Sequence, residues 1–267
     1  MDLGLDGRTA LVTGSWRGTG AGIARVLASE GATVLVHSFE PGAGSDVMAS
    51  ITGEGGRAYE VVGDLRTNEG ALALRNSVAR VADRVDILIH NYGVAEGSDW
   101  SSSTADSWHS SYDTNVVTAV RATNVFLDGM VSNGWGRVVF ISTVGATRPG
   151  DRLPEYYAAK AALPSITVTL SKQLTRTGVT VNCVSPGLIA TAEMIERFTD
   201  RARRSGRATD WRSVEQHLLE SGVTNPSGRI PFPEDVGRFV AFVVSEPMWH
   251  LNGAHLRFDG GASDAVT

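Results

Sequence analysis

The sequence predicts an α/β fold with a doubly wound parallel sheet of about seven strands and helices on both faces. Three observations predict it. Seven short runs rich in apolar and β-branched residues recur at 9–13, 33–36, 58–62, 85–90, 137–142, 179–184 and 254–258. Most are continuously apolar, as central parallel strands covered on both faces are. Between them, apolar residues recur at helical spacing. Ile23, Val26 and Leu27 share a face of the first helix, Leu72, Leu74, Val78 and Val81 mark the third, and Val116, Val120, Thr123 and Leu127 mark the fourth. Strands alternating with helices imply right-handed crossovers. One segment, 190–231, breaks the alternation. It is polar and Arg-rich, with Phe198 and Trp211 as isolated aromatics. Its place between the last two strands predicts an insertion over a site rather than a second domain, so 1–267 reads as a single domain.

Composition narrows the function classes. A chain of 267 residues can bury a core without disulfides or metal. Its net charge of -5, from 24 Lys+Arg against 29 Asp+Glu, offers nothing to nucleic acid or an anionic membrane. The local cluster Arg201, Arg203, Arg204 and Arg207 reads as the solvated face of a helix. Cys183 is the only cysteine, which excludes an intrachain disulfide and fits a reducing compartment. It lies in an apolar run and reads as a buried structural thiol. The first eight residues are acidic and lack a signal-peptide pattern, and no stretch approaches the ~20 apolar residues of a membrane span. The expectation is a cytoplasmic protein without nucleic-acid or membrane partners. The six histidines, His109, His217 and His250 among them, fall in no metal-ligand spacing, so no metal site is expected.

Functional residues in such folds lie just beyond the carboxyl ends of the strands. After the first strand comes Thr13-Gly14-Ser15-Trp16-Arg17-Gly18-Thr19-Gly20, then a helix. Glycines allow a tight turn and close backbone approach to a pyrophosphate, and the helix N-terminus offers free N–H groups and a positive dipole end. A Gly-rich turn alone is weak; in the order strand, turn, helix it is much stronger.

The spacing Gly-x-x-x-Gly-x-Gly differs from the Gly-x-Gly-x-x-Gly of ordinary dinucleotide domains. It resembles the Thr-Gly-x-x-x-Gly-x-Gly signature of the short-chain dehydrogenase/reductase family, closest in look to bacterial 3-oxoacyl-thioester reductases. The likeness runs over nearly the whole chain: Asp64 after the third strand, Asn91 and Gly93 after the fourth, Asn115 in the next helix, Ser142 ending the fifth strand, Tyr156 and Lys160 as Tyr-x-x-x-Lys, Pro186-Gly187 followed by Thr191, and Asp259-Gly260-Gly261. The resemblance implies a Rossmann-like domain. It implies a cofactor held by Gly14, Ser15, Arg17, Gly18, Thr19, Gly20, Ser38, Asp64, Leu65, Asn91, Gly93, Tyr156, Lys160, Pro186, Gly187, Ile189 and Thr191, with Asp64 against the adenine. Two departures stand out. The fourth-strand motif reads His90-Asn91-Tyr92-Gly93, which puts a bulky Tyr92 beside the expected ribose. Pro164 falls inside the helix bearing Tyr156 and Lys160 and removes the amide that would bond the Lys160 carbonyl, which predicts a kink or local opening.

Carbonyl reduction needs a hydride donor and a proton donor at the oxygen. A phenol serves if its pKa, about 10 unperturbed, moves toward neutrality, and a nearby ammonium favours its ionised form. Tyr156 and Lys160, four residues apart, share a helix face. The resemblance gives Lys160 the nicotinamide ribose, Ser142 the substrate oxygen, and Asn115 a water that relays protons to Lys160. Tyr157, three residues from Lys160, is the rival for the catalytic phenol. A non-catalytic nucleotide-binding protein on the same fold would have no need of Asn115, Ser142, Tyr156 and Lys160 together. The expected activity is interconversion of a small-molecule ketone and a secondary alcohol. An NAD-dependent alcohol or hydroxysteroid dehydrogenase is the alternative.

NADP(H) is expected over NAD(H). An NAD enzyme of this fold places Asp or Glu at the end of the second strand to bond the ribose 2′-hydroxyl, and the aligned residue here is the neutral Ser38. The resemblance puts Arg17 where NADP-using relatives carry a basic residue, able to pair with a 2′-phosphate or stack on adenine, with His37 as a further donor. Glu40, two residues past Ser38, would favour NAD if the strand ran longer. The segment 190–231 is expected to act as a lid, with Met194, Ile195, Phe198 and Leu218 lining an apolar substrate pocket. Apolar faces on the two long helices, together with the resemblance, predict a homotetramer or homodimer.

Overall fold

A computed structural model describes residues 1–97, 99–223 and 225–264. Its seven strands are β1 (Thr9–Val12), β2 (Thr33–Ser38), β3 (Arg57–Val62), β4 (Ile87–His90), β5 (Gly136–Ile141), β6 (Val179–Pro186) and β7 (His255–Phe258). They form one parallel sheet in the order β3-β2-β1-β4-β5-β6-β7. This is the doubly wound architecture expected, and all seven predicted runs fall on strands. Observed ends differ by one or two residues, because the last ladder bonds of β2 and β6 extend past the apolar run.

The helices are α1 (Gly18–Ser29), α2 (Ser45–Gly53), α3 (Asn68–Val78), α4 (Ala105–Tyr112), α5 (Thr118–Ser132), α6 (Pro154–Gln173), α7 (Ala192–Arg204), α8 (Trp211–Glu220) and α9 (Pro233–Val244). Side chains alternate across each strand. Ala10, Val12, Val34, Val36, Ile87 and Ile89 enter one core with α1 and α9, whereas Leu11, Leu35, Leu88, Val138 and Phe140 enter another with α3, α5 and α6. Two buried layers explain the continuously apolar runs. Helix α1 approaches α9 closely because Gly22 has no side chain: a Cβ there would lie 2.4 Å from Pro233.

Three sequence expectations are corrected. Of the four residues that mark the third helix in the sequence only Leu74 and Val78 are buried; Leu72 is exposed, and Val81 lies beyond the helix end. Val120 of the fourth pattern is exposed while Val116 and Thr123 are buried, and a π turn at Asp113–Val117 joins α4 to α5. Pro164 does not interrupt α6, which runs unbroken from Pro154 to Gln173.

The segment 190–231, apart from Thr224, which lies outside the described residues, contains α7 and α8. Met194 and Leu218 pack with Ala190, Ala202, Val214 and Ile230 in a small core of their own. None of Met194, Ile195, Phe198 and Leu218 lines the cleft described below; Phe198 and Leu218 line a separate pocket of about 560 Å³ between α7 and α8. The predicted 1–267 domain likewise extends past the described residues at 265–267. No helix among the described residues is long and apolar enough to cross a membrane.

Candidate active site

The strand order reverses between β1 and β4, and their diverging carboxyl ends open a crevice. The Thr13 hydroxyl donates to Ile89 O (3.3 Å) and accepts the amides of Asn91 and Tyr92, both at 3.1 Å. Asn91 Nδ2 donates back to Thr13 O (3.0 Å) and Gly14 O (3.2 Å). A Cβ on Gly20 would lie 2.5 Å from both Asn91 Nδ2 and Gly14 O, so only glycine fits beneath this tie.

From the other side the Gly14 amide donates to His37 Nδ1 (3.0 Å), and His37 Nε2 meets Gly63 O at 2.8 Å. These partners require the neutral tautomer with its proton on Nε2. Burial pushes the His37 pKa down to about 4. Ser15 Oγ accepts the His37 amide at 2.9 Å. His37 and Ser15 are fully buried supports of the loop. Ser38 is buried too, its Oγ donating to Glu40 O (2.8 Å) with Glu60 Oε1 at 3.4 Å, and none of the three is in the lining of the cleft described next.

A cleft of about 420 Å³ lies over the loop, lined by Gly14, Arg17, Gly18, Thr19, Asn91 and Gly93 at one end and by Ser142, Thr143, Tyr156, Lys160, Pro186, Gly187, Ile189 and Thr191 at the other. Helix α1 points its start into the cleft. No side chain caps it and its first turn holds no acid, so its free amides fit an anion such as a pyrophosphate. Arg17 is exposed and pairs with Glu193 of α7 at 3.6 Å.

Asp64 and Leu65 lie outside this lining. Asp64 is gripped by Arg66, with Nε at 2.9 Å and Nη2 at 2.8 Å, and that guanidinium holds its carboxyl below the usual range. The Leu65 side chain is in the core. Sequence reasoning missed an aromatic trio here. Phe39 lies 5.6 Å from Trp16 and 4.6 Å from Tyr92, and the Arg66 guanidinium sits 5.0 Å above Phe39. The bulk of Tyr92 in the fourth-strand motif was the available signal.

At the other end α6 carries Tyr156 and Lys160 on one face. Lys160 is buried and its Nζ donates to Ile141 O at 2.9 Å. Burial pushes its pKa down to about 8, so it stays protonated at neutral pH. Burial pushes the Tyr156 phenol up to about 12, while a hydrogen bond with Thr143 pulls it the other way. Tyr157 stacks over Gly145, where a Cβ would lie 2.1 Å from its ring, and does not line the cleft.

Ser142 and Thr143 both line this end of the cleft. Ser142 Oγ donates to Lys160 O at 2.9 Å. Thr143 hydrogen-bonds the Tyr156 phenol and so adds a second hydroxyl, one the sequence reading did not single out, beside the substrate position.

Asn115 sits in the π turn. Its Oδ1 accepts the Val94 amide (3.0 Å) and its Nδ2 donates to Ser111 O (3.0 Å) and Val94 O (3.2 Å). A Cβ on Gly93 would lie 2.6 Å from Asn115 Oδ1 and 2.7 Å from Lys160 Nζ, so both groups converge on that glycine.

This cleft, with a Tyr and Lys pair at one end and a glycine cradle at the other, defines a dinucleotide-dependent oxidoreductase. Residues 8–202 match the short chain dehydrogenase family, and the chain belongs to that family. It is 33% identical to the uncharacterized oxidoreductase YvaG of Bacillus subtilis, covering 100% of both chains. Its fold is similar to L-sorbose reductase from Gluconobacter frateurii, solved with NADPH and L-sorbose, at a TM-score of 0.92 and 29% identity over 100% of each chain. It is also similar to a 3-oxoacyl (acyl-carrier-protein) reductase from Agrobacterium tumefaciens solved with NADP, at a TM-score of 0.85 and 31% identity, covering 97% of this chain and 96% of that one.

The buried imidazoles predict acid sensitivity. His90 resembles His37: its Nε2 meets Thr123 Oγ1 at 2.9 Å, and burial lowers its pKa to about 3. The unfolded chain binds protons at both residues below about pH 6.5 while the folded chain does not. Their contribution is therefore complete above that pH and is lost as pH falls toward the folded values. Urea denaturation at pH 7 and pH 5 is expected to show a loss on the order of 2 kcal/mol from each. His90→Phe is expected to reduce that difference. Equal stability at both pH values would refute neutral burial.

Proposed function

We propose that the chain is an NADP(H)-dependent reductase that interconverts a ketone and a secondary alcohol. The observation that carries this reading is the placement of Thr143, Tyr156 and Lys160 in one cleft with the uncapped start of α1. Bound nicotinamide supplies the hydride. Tyr156 holds the proton for the substrate oxygen, and its raised pKa keeps the phenol protonated, as the reductive direction requires. Thr143 donates to the same oxygen and steadies the charge that develops there. Lys160, a cation at neutral pH, favours the phenolate left after transfer. Asn115 holds the backbone around Gly93 against Lys160, which supports its place beside the proton relay.

Three further readings rest on the same cleft. Arg17 is the exposed guanidinium at the phosphate end, and Ser38 brings no carboxylate to the end of β2, which supports NADP(H) over NAD(H). The relatives solved with NADPH and NADP agree. The segment 190–231 is read as a lid, because Glu193 of α7 lines the cleft and meets Arg17. The chain is read as a homotetramer or homodimer. Much of the apolar surface of α5 and α6 is used inside the monomer, and Val120, Val131 and Val168 remain exposed for a partner.

Following nicotinamide absorbance, Tyr156→Phe is expected to lower turnover about 10²–10⁴-fold with little change in NADPH affinity. Thr143→Ala is expected to lower it too, and Tyr157→Phe to leave it near native. Loss of turnover in Tyr157→Phe with retention in Tyr156→Phe would overturn the assignment. A screen over β-ketothioesters, ketosteroids, sugars and diketones identifies the substrate class.

Titration with both cofactors is expected to show tighter binding of NADPH, with Arg17→Ala erasing the advantage. Tighter NADH binding by the unaltered protein would refute the preference. Two simpler measurements test the remaining readings. A monomer by light scattering at micromolar concentration removes the oligomer, and unchanged proteolysis of 190–231 on adding NADPH removes the lid.

A further inference from the structure

Ser142 has a structural task, which Pro164 makes visible. Proline has no amide hydrogen, so Pro164 deletes the helix bond that would end on the carbonyl four residues earlier, and its ring crowds that carbonyl. The carbonyl belongs to Lys160. Lys160 is buried, so bulk water does not replace the missing donor, and a buried carbonyl left without a donor is costly. Yet α6 continues through Pro164 to Gln173.

The replacement donor comes from the sheet. Ser142 Oγ donates to Lys160 O at 2.9 Å in a buried bond spanning 18 residues of sequence. The preceding residue completes the grip, since Ile141 O accepts from Lys160 Nζ at 2.9 Å. Two consecutive residues at the end of β5 therefore hold one lysine at both ends, backbone and ammonium.

We infer that Ser142 is a positioning residue for Lys160, substituting for the helix bond that Pro164 removes and so setting where the ammonium stands beside Tyr156. This inference rests on the reading of Lys160 as a cofactor-side group. It assigns Ser142 no contact with substrate. Without the hydroxyl, either the carbonyl stays unsatisfied or the helical turn bearing Tyr156 and Lys160 shifts away from Thr143.

Because the need for Ser142 is created by Pro164, it disappears when the amide is restored. The test is a double-mutant cycle of Ser142→Ala, Pro164→Ala and the double variant, read by thermal midpoint and by NADPH dissociation constant well below the midpoint. Ser142→Ala is expected to lower the midpoint and weaken NADPH binding about tenfold. In the Pro164→Ala background the same change is expected to cost less than about twofold, because the new amide of residue 164 serves the Lys160 carbonyl. If Ser142→Ala fails to fold while the double variant folds, the inference is likewise supported. Equal losses in both backgrounds, or failure of both to fold, would overturn it. If the unaltered protein binds no NADPH, the proposed function fails, and the thermal cycle alone still decides whether the hydroxyl replaces the helix bond.

Discussion

The tie between the carboxyl ends of β1 and β4 is the constraint on which the rest of the site depends. Parallel strands that diverge at a switch point leave backbone groups without ladder partners, and buried groups of that kind must be satisfied. Thr13 and Asn91 do this across the gap, with the hydroxyl and the carboxamide each bonding the opposite strand's backbone. Because Asn91 bonds Gly14 O, the same tie sets the path of the phosphate loop. Because it leads directly into Tyr92 and Gly93, it also sets the loop against which Asn115 and Lys160 converge. The cradle and the proton-handling end are thus two outcomes of one junction.

Buried polar side chains complete that junction from behind. His37 reaches from β2 to the Gly14 amide and, with its other nitrogen, to Gly63 O after β3. It does so only while neutral: desolvation removes the charge, and the Gly14 amide on Nδ1 leaves the proton on Nε2. The loop is therefore rigid from the sheet side and open on the other, where the uncapped amides of α1 face the cleft. On the neighbouring strand β3, Glu60 has a similar role, accepting the amides of Gly42 and Gly44. A carboxylate near the end of β2 is thereby used for structure.

The end of β5 shows how finely side-chain direction divides roles. Ser142 and Thr143 are adjacent hydroxyl residues that both line the cleft, with the Ser142 hydroxyl turned onto the Lys160 carbonyl of α6 and that of Thr143 onto Tyr156. The first hydroxyl supports the helix that carries the phenol and the ammonium, and the second touches the phenol. An error of a single residue exchanges a positioning role for a chemical one.

Much of this protein is legible in its sequence. The apolar runs and helical spacings give the strand and helix order, since periods of 2 and 3.6 residues are local properties. The glycine spacing of the phosphate loop and the four-residue separation of Tyr156 from Lys160 are legible for the same reason. What the sequence leaves open depends on contacts between segments far apart in the chain. That His37 and Ser38 are sealed beneath the loop follows from their packing against Gly14, Gly63, Glu40 and Glu60. That Met194 and Leu218 fill the core of a helix pair follows from how α7 and α8 meet. Pro164 is the clearest case. Its local effect, a lost helix bond, is certain from the sequence, but whether the helix opens there depends on a donor arriving from elsewhere. Tertiary structure brings Ser142 to the Lys160 carbonyl, and the helix stays whole because a bond lost locally is made across the fold.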